Sequence, residues 1–204
     1  MKNIIWIVTL FLFLGCKKQK EETKLQDSKF SDINQIVEVI INQDSLYISK
    51  NDKSSIAFCI DLVKINIQIP IKNKEKLYEP PTPFNSVSIN QLLSYKINND
   101  NFFSKADSTY LVSQSLGLKE FKIEQKIIEK IKSTTFDKEE LKQKTGKKYD
   151  FYEMTIPVFS KDNSKAYVEI NHYCGGLCGS GKAFFLSKIN GEWRIINKTQ
   201  TWIS

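Results

Sequence analysis

The residue types with the richest chemistry in this sequence lie in one short segment near the C-terminus. The segment His172–Lys182 contains the only histidine of the chain, two of its four cysteines, and glycines at positions 175, 176, 179 and 181. Oxidising compartments favour disulfides, and glycine adopts the positive φ that a tight loop needs, so the pattern predicts a Cys174–Cys178 disulfide. The closed loop is short, and the chain-entropy model gives it a stabilisation of only about 2 kcal/mol.

Two other interpretations of the same segment stay open. His172 and Cys174 are two residues apart, so on a strand they point to one face, and Cys178 with Cys59 would complete a zinc or copper site. Alternatively the cysteines form a redox pair, although a step of four residues differs from the CxxC of disulfide oxidoreductases. The simplest expectation for Cys59, which lies in the apolar run 56–60, is a buried thiol.

No catalytic arrangement stands out elsewhere. Gly176–Lys182 has the GxxxxGK spacing of phosphate-binding loops, but Ala183 stands where Ser or Thr would hold magnesium, and a strand is predicted to follow. A single histidine, without a motif around any serine, argues against a hydrolytic triad. The sequence therefore favours a non-enzymatic binding module without a cofactor. The metal or thiol-redox protein, and an enzyme with an acid/base pair inside a curved sheet, are the alternatives.

The first sixteen residues have the pattern of an export signal. Lys2 precedes the apolar run 4–14, which is too short to span a bilayer because a spanning helix needs ~20 residues. The run ends Leu-Phe-Leu-Gly-Cys at 12–16, which resembles the lipobox of bacterial lipoproteins, with Phe13 where Leu is usual. The resemblance implies that 1–15 are a signal peptide and that Cys16 carries lipid on its thiol and anchors the chain to a membrane.

Residues 16–29 are predicted to form a disordered tether, because 17–22 are all polar and mixed in charge. Lys17 directly after the cysteine resembles outer-membrane lipoproteins, which implies a lipid-anchored protein of the cell envelope at the outer membrane. The formal net charge is +7, but the single arginine, Arg194, and export both argue against nucleic acid as a partner. A protein, a glycan or a small molecule is the expected ligand.

The remaining residues, 30–204, are enough for one domain. Alternating apolar residues in the C-terminal third predict a four-stranded antiparallel meander at 151–159, 166–173, 182–189 and 192–203. Between the last two strands, Asn190-Gly191 is the residue pair typical of a two-residue hairpin turn. That turn would set Leu186 opposite Ile195 and Lys188 opposite Trp193.

Such a sheet must bury one face, and two amphipathic helices, 31–44 and 121–131, are predicted to cover it. The remaining predictions are one or two strands within 56–69, a strand at 109–113, a short helix at 89–95 capped by Ser88, a weak helix at 138–148 and an extended loop at 80–83. The fold class is therefore α+β. The order of a helix first and a curved meander last resembles the cystatin-like and NTF2-like superfamily. That superfamily contains enzymes, binding modules and inhibitors, so the resemblance implies little about function.

Overall fold

The computed structural model describes residues 28–44, 46–72, 77–78, 84–176 and 178–204. The predicted signal peptide, Cys16, most of the tether and the loop at 80–83 lie outside these residues. Among the described residues, no helix combines the length and the apolar character needed to cross a membrane. Residues 28 and 29, which the sequence analysis assigned to the tether, are already helical.

Short helices and short strands alternate through the first two thirds of the described chain, and long strands fill the last third. The helices are α1 at 28–43, α2 at Ile89–Ser94, α3 at Ser108–Gln114, α4 at Gln125–Ile128 and α5 at Phe136–Lys144, with a 3₁₀ turn at Lys105–Asp107. The strands are β1 at Ala57–Cys59, β2 at Asp61–Val63, β3 at Asn66–Gln68, β4 at Ile71–Lys72, β5 at Leu77–Tyr78, β6 at Ser86–Ser88, β7 at Lys96–Ile97, β8 at Asp100–Asn101, β9 at Glu120–Lys122, β10 at Ser133–Thr134, β11 at Phe151–Met154, β12 at Val158–Phe159, β13 at Lys165–Tyr173, β14 at Gly179–Ile189 and β15 at Glu192–Ile203.

The main sheet has seven strands in the order β10-β1-β11-β13-β14-β15, and β12 pairs with β13. It is a mixed sheet, because β1 runs parallel to β10 and β11, whereas β11, β13, β14 and β15 are antiparallel. The predicted α+β class is confirmed. The hairpin register is also as predicted, with Leu186 opposite Ile195 and Lys188 opposite Trp193. Asn190 and Gly191 both have positive φ, as the turn requires.

The central strands β13 and β14 are buried on both faces of the main sheet, whereas β15 is largely exposed. Ala166, Val168 and Ile170 of β13 share one core with apolar residues of α1, namely Ile33, Ile36, Val37 and Ile40. The alternate residue Tyr167 belongs to a second core on the opposite face, with Leu92 of α2, Phe103 and Leu111 of α3. Polar contacts also join α1 to the sheet, since Asp32 accepts hydrogen bonds from Trp193 Nε1 at 2.9 Å and from Lys188 Nζ at 2.6 Å.

Two of the predicted elements are wrong. The segment 121–131 is not one helix, because β9 pairs with β2 and only α4 is helical there. Its apolar residues are mainly isoleucines, whose β-branching weakens the helical preference. The predicted strand at 109–113 is helix α3, which follows a turn that Asp107 stabilises by accepting hydrogen bonds from Ser104 N and Oγ.

Local end signals were more reliable for α2. Its predicted cap is confirmed, since Asn90 N donates to Ser88 Oγ at 3.2 Å and Gln91 Oε1 accepts from Ser88 N at 3.2 Å. This reciprocal pair is a capping box. The weak helix predicted at 138–148 is present as α5, which begins two residues earlier and ends earlier.

Candidate functional site

The cysteine loop that follows β13 contains the predicted disulfide. Cys174 and Cys178 are bonded, with their Cα atoms 5.2 Å apart. Cys174 N also donates to Cys178 O at 3.2 Å, and Gly175 and Gly176 both have positive φ. Cys59 is free and buried, and burial raises the pKa of its thiol well above the usual range. The loop is thus a stapled turn, and Cys59 lies in the core.

His172 lies beside a carboxylate instead of beside the sulfurs. Its Nε2 is 2.8 Å from Asp150 Oδ1, and its ring packs against Tyr152 with a centroid distance of 4.7 Å. In the part of the chain that the structure describes, no three His, Cys, Asp or Glu side chains are grouped to hold a metal ion. The bonded sulfurs are not thiolates either, so this arrangement gives no support to the metal interpretation. A redox pair is also bonded in its oxidised state, so the disulfide does not decide the thiol-redox interpretation.

A cavity of about 450 Å³ lies on the sheet face opposite α1. We call it the sheet cavity. The strands β13, β14 and β15 form its floor, and α2 with the adjoining residues forms its wall. Its lining is Ser86, Val87, Gln91, Leu92, Ser94, Tyr95, Lys96, Tyr167, Glu169, Ala183, Phe185, Thr199, Gln200 and Thr201. This volume lies in the range of about 300–1,000 Å³ typical of small-molecule sites.

Glu169 is the ionisable group at the floor of the sheet cavity. The residue is 4% exposed, and Tyr167 Oη donates a hydrogen bond to its Oε1 at 2.6 Å. Burial raises the pKa of Glu169 to about 7, and the bond from Tyr167 opposes this rise. The backbone of Glu169 is also held, because its N–H donates to Oγ1 of Thr155, the residue that follows β11, at 2.9 Å. The cavity therefore presents a rigidly held carboxyl that changes charge near neutral pH.

A second buried carboxyl, Glu153, lies on the adjacent strand β11, opposite Asn171 of β13. Burial raises its pKa, while hydrogen bonds from Asn85 and Tyr173 lower it. Asn85 Nδ2 donates a hydrogen bond to Glu153 Oε1 at 2.8 Å. In turn, Asn171 Nδ2 donates to Asn85 Oδ1 at 2.7 Å, and Trp202 Nε1 donates to Asn171 Oδ1 at 2.7 Å. These bonds satisfy polar groups on a face that the second core otherwise makes apolar.

Trp202 reaches this network because β14 carries two glycines beneath it. A Cβ added to Gly179 would lie 2.7 Å from the indole ring, and one added to Gly181 would overlap Trp202 Nε1 and Thr201 Oγ1. The edge of the indole also meets the Phe84 ring at a centroid distance of 4.8 Å. Gly179 and Gly181 thus leave room for the indole ring, a packing role that their spacing in the sequence did not indicate.

The lining of the sheet cavity combines hydrogen-bonding groups with an apolar wall. Hydroxyls and amides come from serine, threonine and glutamine side chains on α2, β6 and β15. Tyr95 stacks on Phe185 with a centroid distance of 3.8 Å and an interplanar angle of 7°. A few convergent polar groups beside aromatic rings can orient a small ligand that has both polar and apolar edges.

The residue patterns of the sequence did not indicate this site. In a half-buried strand, Tyr167, Glu169 and Asn171 occupy the alternate positions that would face solvent. The available signal was a surplus of apolar residues. Those at 87–112, which include Leu92, Phe102 and Phe103, had no predicted surface to bury against. They form the second core over these strands.

No family model, no curated protein and no solved structure matches this chain. The lipoprotein pattern at 1–16 and the cystatin-like or NTF2-like order of elements therefore stay predictions.

Proposed function

We propose that this chain is a membrane-anchored extracytoplasmic lipoprotein whose domain is a non-enzymatic binding module for a small hydroxyl-rich ligand, such as a glycan fragment, in the sheet cavity. The observation that carries the proposal is the convergence of Glu169 with hydroxyl and amide side chains around a cavity of about 450 Å³. Carboxyl, amide and hydroxyl groups hydrogen-bond to sugar hydroxyls, and aromatic or aliphatic side chains contact the apolar face of a sugar ring.

Binding is preferred over catalysis because of how few carboxyl groups the described lining of the cavity contains. Glu169 is the sole acidic residue among the described residues that line the sheet cavity. Glu153 is engaged with Asn85 at 2.8 Å and does not line it. An acid/base reaction of the glycosidase type needs two carboxyl groups that flank one bond. The geometry therefore favours a site that holds a ligand without cleaving it.

The proposed location rests on the chain outside the sheet cavity. The pattern at 1–16 supports export and lipid attachment at Cys16, and Lys17 supports an outer-membrane destination. The Cys174–Cys178 disulfide is compatible with an oxidising compartment. In this proposal α1 covers one face of the sheet, and α2 and α3 cover the face that carries the ligand.

A sugar panel tests the binding proposal. Purified full-length protein in zwitterionic nanodiscs is screened by saturation-transfer NMR against hexoses, amino sugars, uronic acids and short oligosaccharides. Affinity of each hit is then measured by calorimetry. Glu169→Gln should weaken the best hit by about tenfold or more, because a hydrogen bond to a charged group contributes about 1.5–3 kcal/mol.

The matched control is Glu192→Gln, which removes a carboxylate whose side chain is 75% exposed on β15. It should leave the affinity unchanged. Absence of binding across the panel, or equal affinity in Glu169→Gln, would contradict the proposed ligand site.

A further inference from the structure

A second and larger cavity, of about 630 Å³, opens where the described chain begins. We call it the lysine cavity. Its walls come from the start of α1, from α3 and the turn after it, and from the segment 156–158 that leads into β12. Its lining includes Lys29, Lys64, Lys161, Tyr110, Gln114 and Leu118.

The charged residues in the described lining of the lysine cavity are all of one sign. Lys29, Lys64 and Lys161 line it, and no Asp or Glu is among the described residues that do so. None of the three forms an ion pair with a carboxylate in the described ranges, although other lysines do, for example Lys182 and Lys198 with Asp44. Within the part of the chain that the structure describes, the lining of the cavity thus holds no counter-charge.

Among the three lysines, Lys29 shows most clearly that a negatively charged partner is lacking in the described lining. Its ammonium group donates to Gln114 Oε1 at 3.3 Å and lies 5.7 Å from the centroid of the Phe159 ring. Both contacts are with neutral groups. Partial burial lowers the pKa of Lys29. A cation that is partly removed from water without an anion is unfavourable, and an anionic ligand would offset this loss of hydration.

Three other polar side chains of the wall, Gln114, Ser113 and Asn163, are directed to internal partners, and Asn163 Nδ2 donates to Asp32 Oδ2 at 2.6 Å. Gln114 Nε2 donates to Phe159 O at 2.8 Å, and Gln114 Oε1 accepts from Phe159 N at 3.1 Å. Ser113 Oγ donates to Tyr110 O at 2.7 Å. The surface left to a ligand is therefore mostly hydrocarbon. Tyr110 and Leu118, which belong to it, are 38% and 40% exposed.

We propose that the lysine cavity binds a free long-chain fatty acid, with its carboxylate among Lys29, Lys64 and Lys161 and its alkyl chain along the apolar wall. A hydrocarbon surface with cations at its margin is complementary to a molecule that carries one anion and one apolar chain. The hydrocarbon wall would leave the hydroxyls of a sugar or a nucleotide without hydrogen-bonding partners. A diacyl phospholipid would bring a second chain and a bulky headgroup into the same space.

Photocrosslinking of the full-length protein tests this directly. The probe is a palmitic acid analogue that carries a diazirine near the end of its chain, and adducts are located by peptide mass spectrometry. Adducts are expected at 110–118 and 156–158, and unlabelled palmitate should suppress them. Lys29→Gln should lower the apparent affinity of the probe by about tenfold, because a charge-assisted hydrogen bond is lost. Lys138→Gln, at an exposed position of α5, should not change it.

The wild-type protein supplies a test that does not depend on any variant folding. Hexadecanol has the same chain without the carboxylate, so it should compete far more weakly than palmitate. Equal competition by hexadecanol would overturn the role of the lysines. Stronger competition by phosphatidylglycerol vesicles than by palmitate would assign the cations to a phospholipid headgroup and overturn the proposal. Adducts confined to other segments would also overturn it.

Discussion

Replacing Glu169 with glutamine measures what the buried carboxyl of the sheet cavity does to stability. Glu169 is 4% exposed and accepts a hydrogen bond from Tyr167 Oη at 2.6 Å. Glutamine has nearly the same shape, and its Oε1 accepts that hydrogen bond equally well, but it carries no charge at any pH. The substitution therefore removes the ionisation of residue 169 and keeps the packing.

The sign and size of the effect follow from the pKa of Glu169, which burial raises from 4.5 to about 7. Between these values the folded protein keeps a proton that the unfolded chain has already released. The free energy of unfolding consequently falls as the pH rises from about 4.5 to about 7, and it loses nothing further above that range. Each tenfold difference in proton affinity corresponds to about 1.4 kcal/mol, so the interval from 4.5 to about 7 gives roughly 3 kcal/mol.

Urea unfolding followed by circular dichroism at about pH 4.5 and about pH 8 gives the measurement. The difference in unfolding free energy between Glu169→Gln and the wild type should favour the variant, and it should be roughly 3 kcal/mol larger at the higher pH than at the lower pH. Glu192→Gln, at an exposed position, should follow the wild type at both pH values. If Glu169→Gln keeps the full pH dependence of the wild type, the carboxyl is not held in a destabilising environment and the reasoning is refuted.

Three further predictions concern the anchor, the staple and the indole. Cys16→Ser should abolish incorporation of radiolabelled fatty acid into the precursor, and label that persists in this variant would contradict the anchor. Replacing both Cys174 and Cys178 with serine should lower the free energy of unfolding in urea by about 2 kcal/mol and leave ligand affinity unchanged; a large loss of affinity would instead place the loop in the site. Gly181→Ala should displace Trp202 and destabilise the domain by about 1–3 kcal/mol in the same assay, whereas an unchanged midpoint would show that the indole moves freely.

The features that the sequence predicted well are local. The turn at Asn190-Gly191 sets the β14–β15 register as far as Leu186, beyond which two irregularities shift it. The Cys174–Cys178 disulfide joins residues four apart. The Ser88 cap likewise depends on Asn90 and Gln91, its near neighbours. In each case the partners are held together by chain connectivity, so residue type and spacing are sufficient to identify them.

The features that the sequence failed to predict depend on distant partners. Whether 121–131 is helical is decided by β2, because Ile123 N donates to Ile60 O at 3.0 Å and Phe121 lies opposite Leu62. The burial of Glu169 in the candidate site likewise depends on residues that are distant in the sequence. Alternation identifies two faces of β13, but only the packing of α2 and α3 on the second face makes Glu169 a buried residue. A pattern of period two cannot indicate how many faces of a sheet will be covered.

The two cavities place opposite charges in unfavourable surroundings, and the fold keeps those charges apart. The sheet cavity is lined by α2 and contains Glu169, whereas the lysine cavity is lined by α3 and contains Lys29. Neither residue forms an ion pair within the described part of the chain, although Lys96 also lines the sheet cavity. Each charge is therefore left for a ligand of different character, and the two sites should act independently. The effects of Glu169→Gln and Lys29→Gln on stability should then add within about 0.5 kcal/mol, as they do for separated residues. A larger deviation in the double variant would mean that α2 and α3 transmit the occupancy of one cavity to the other.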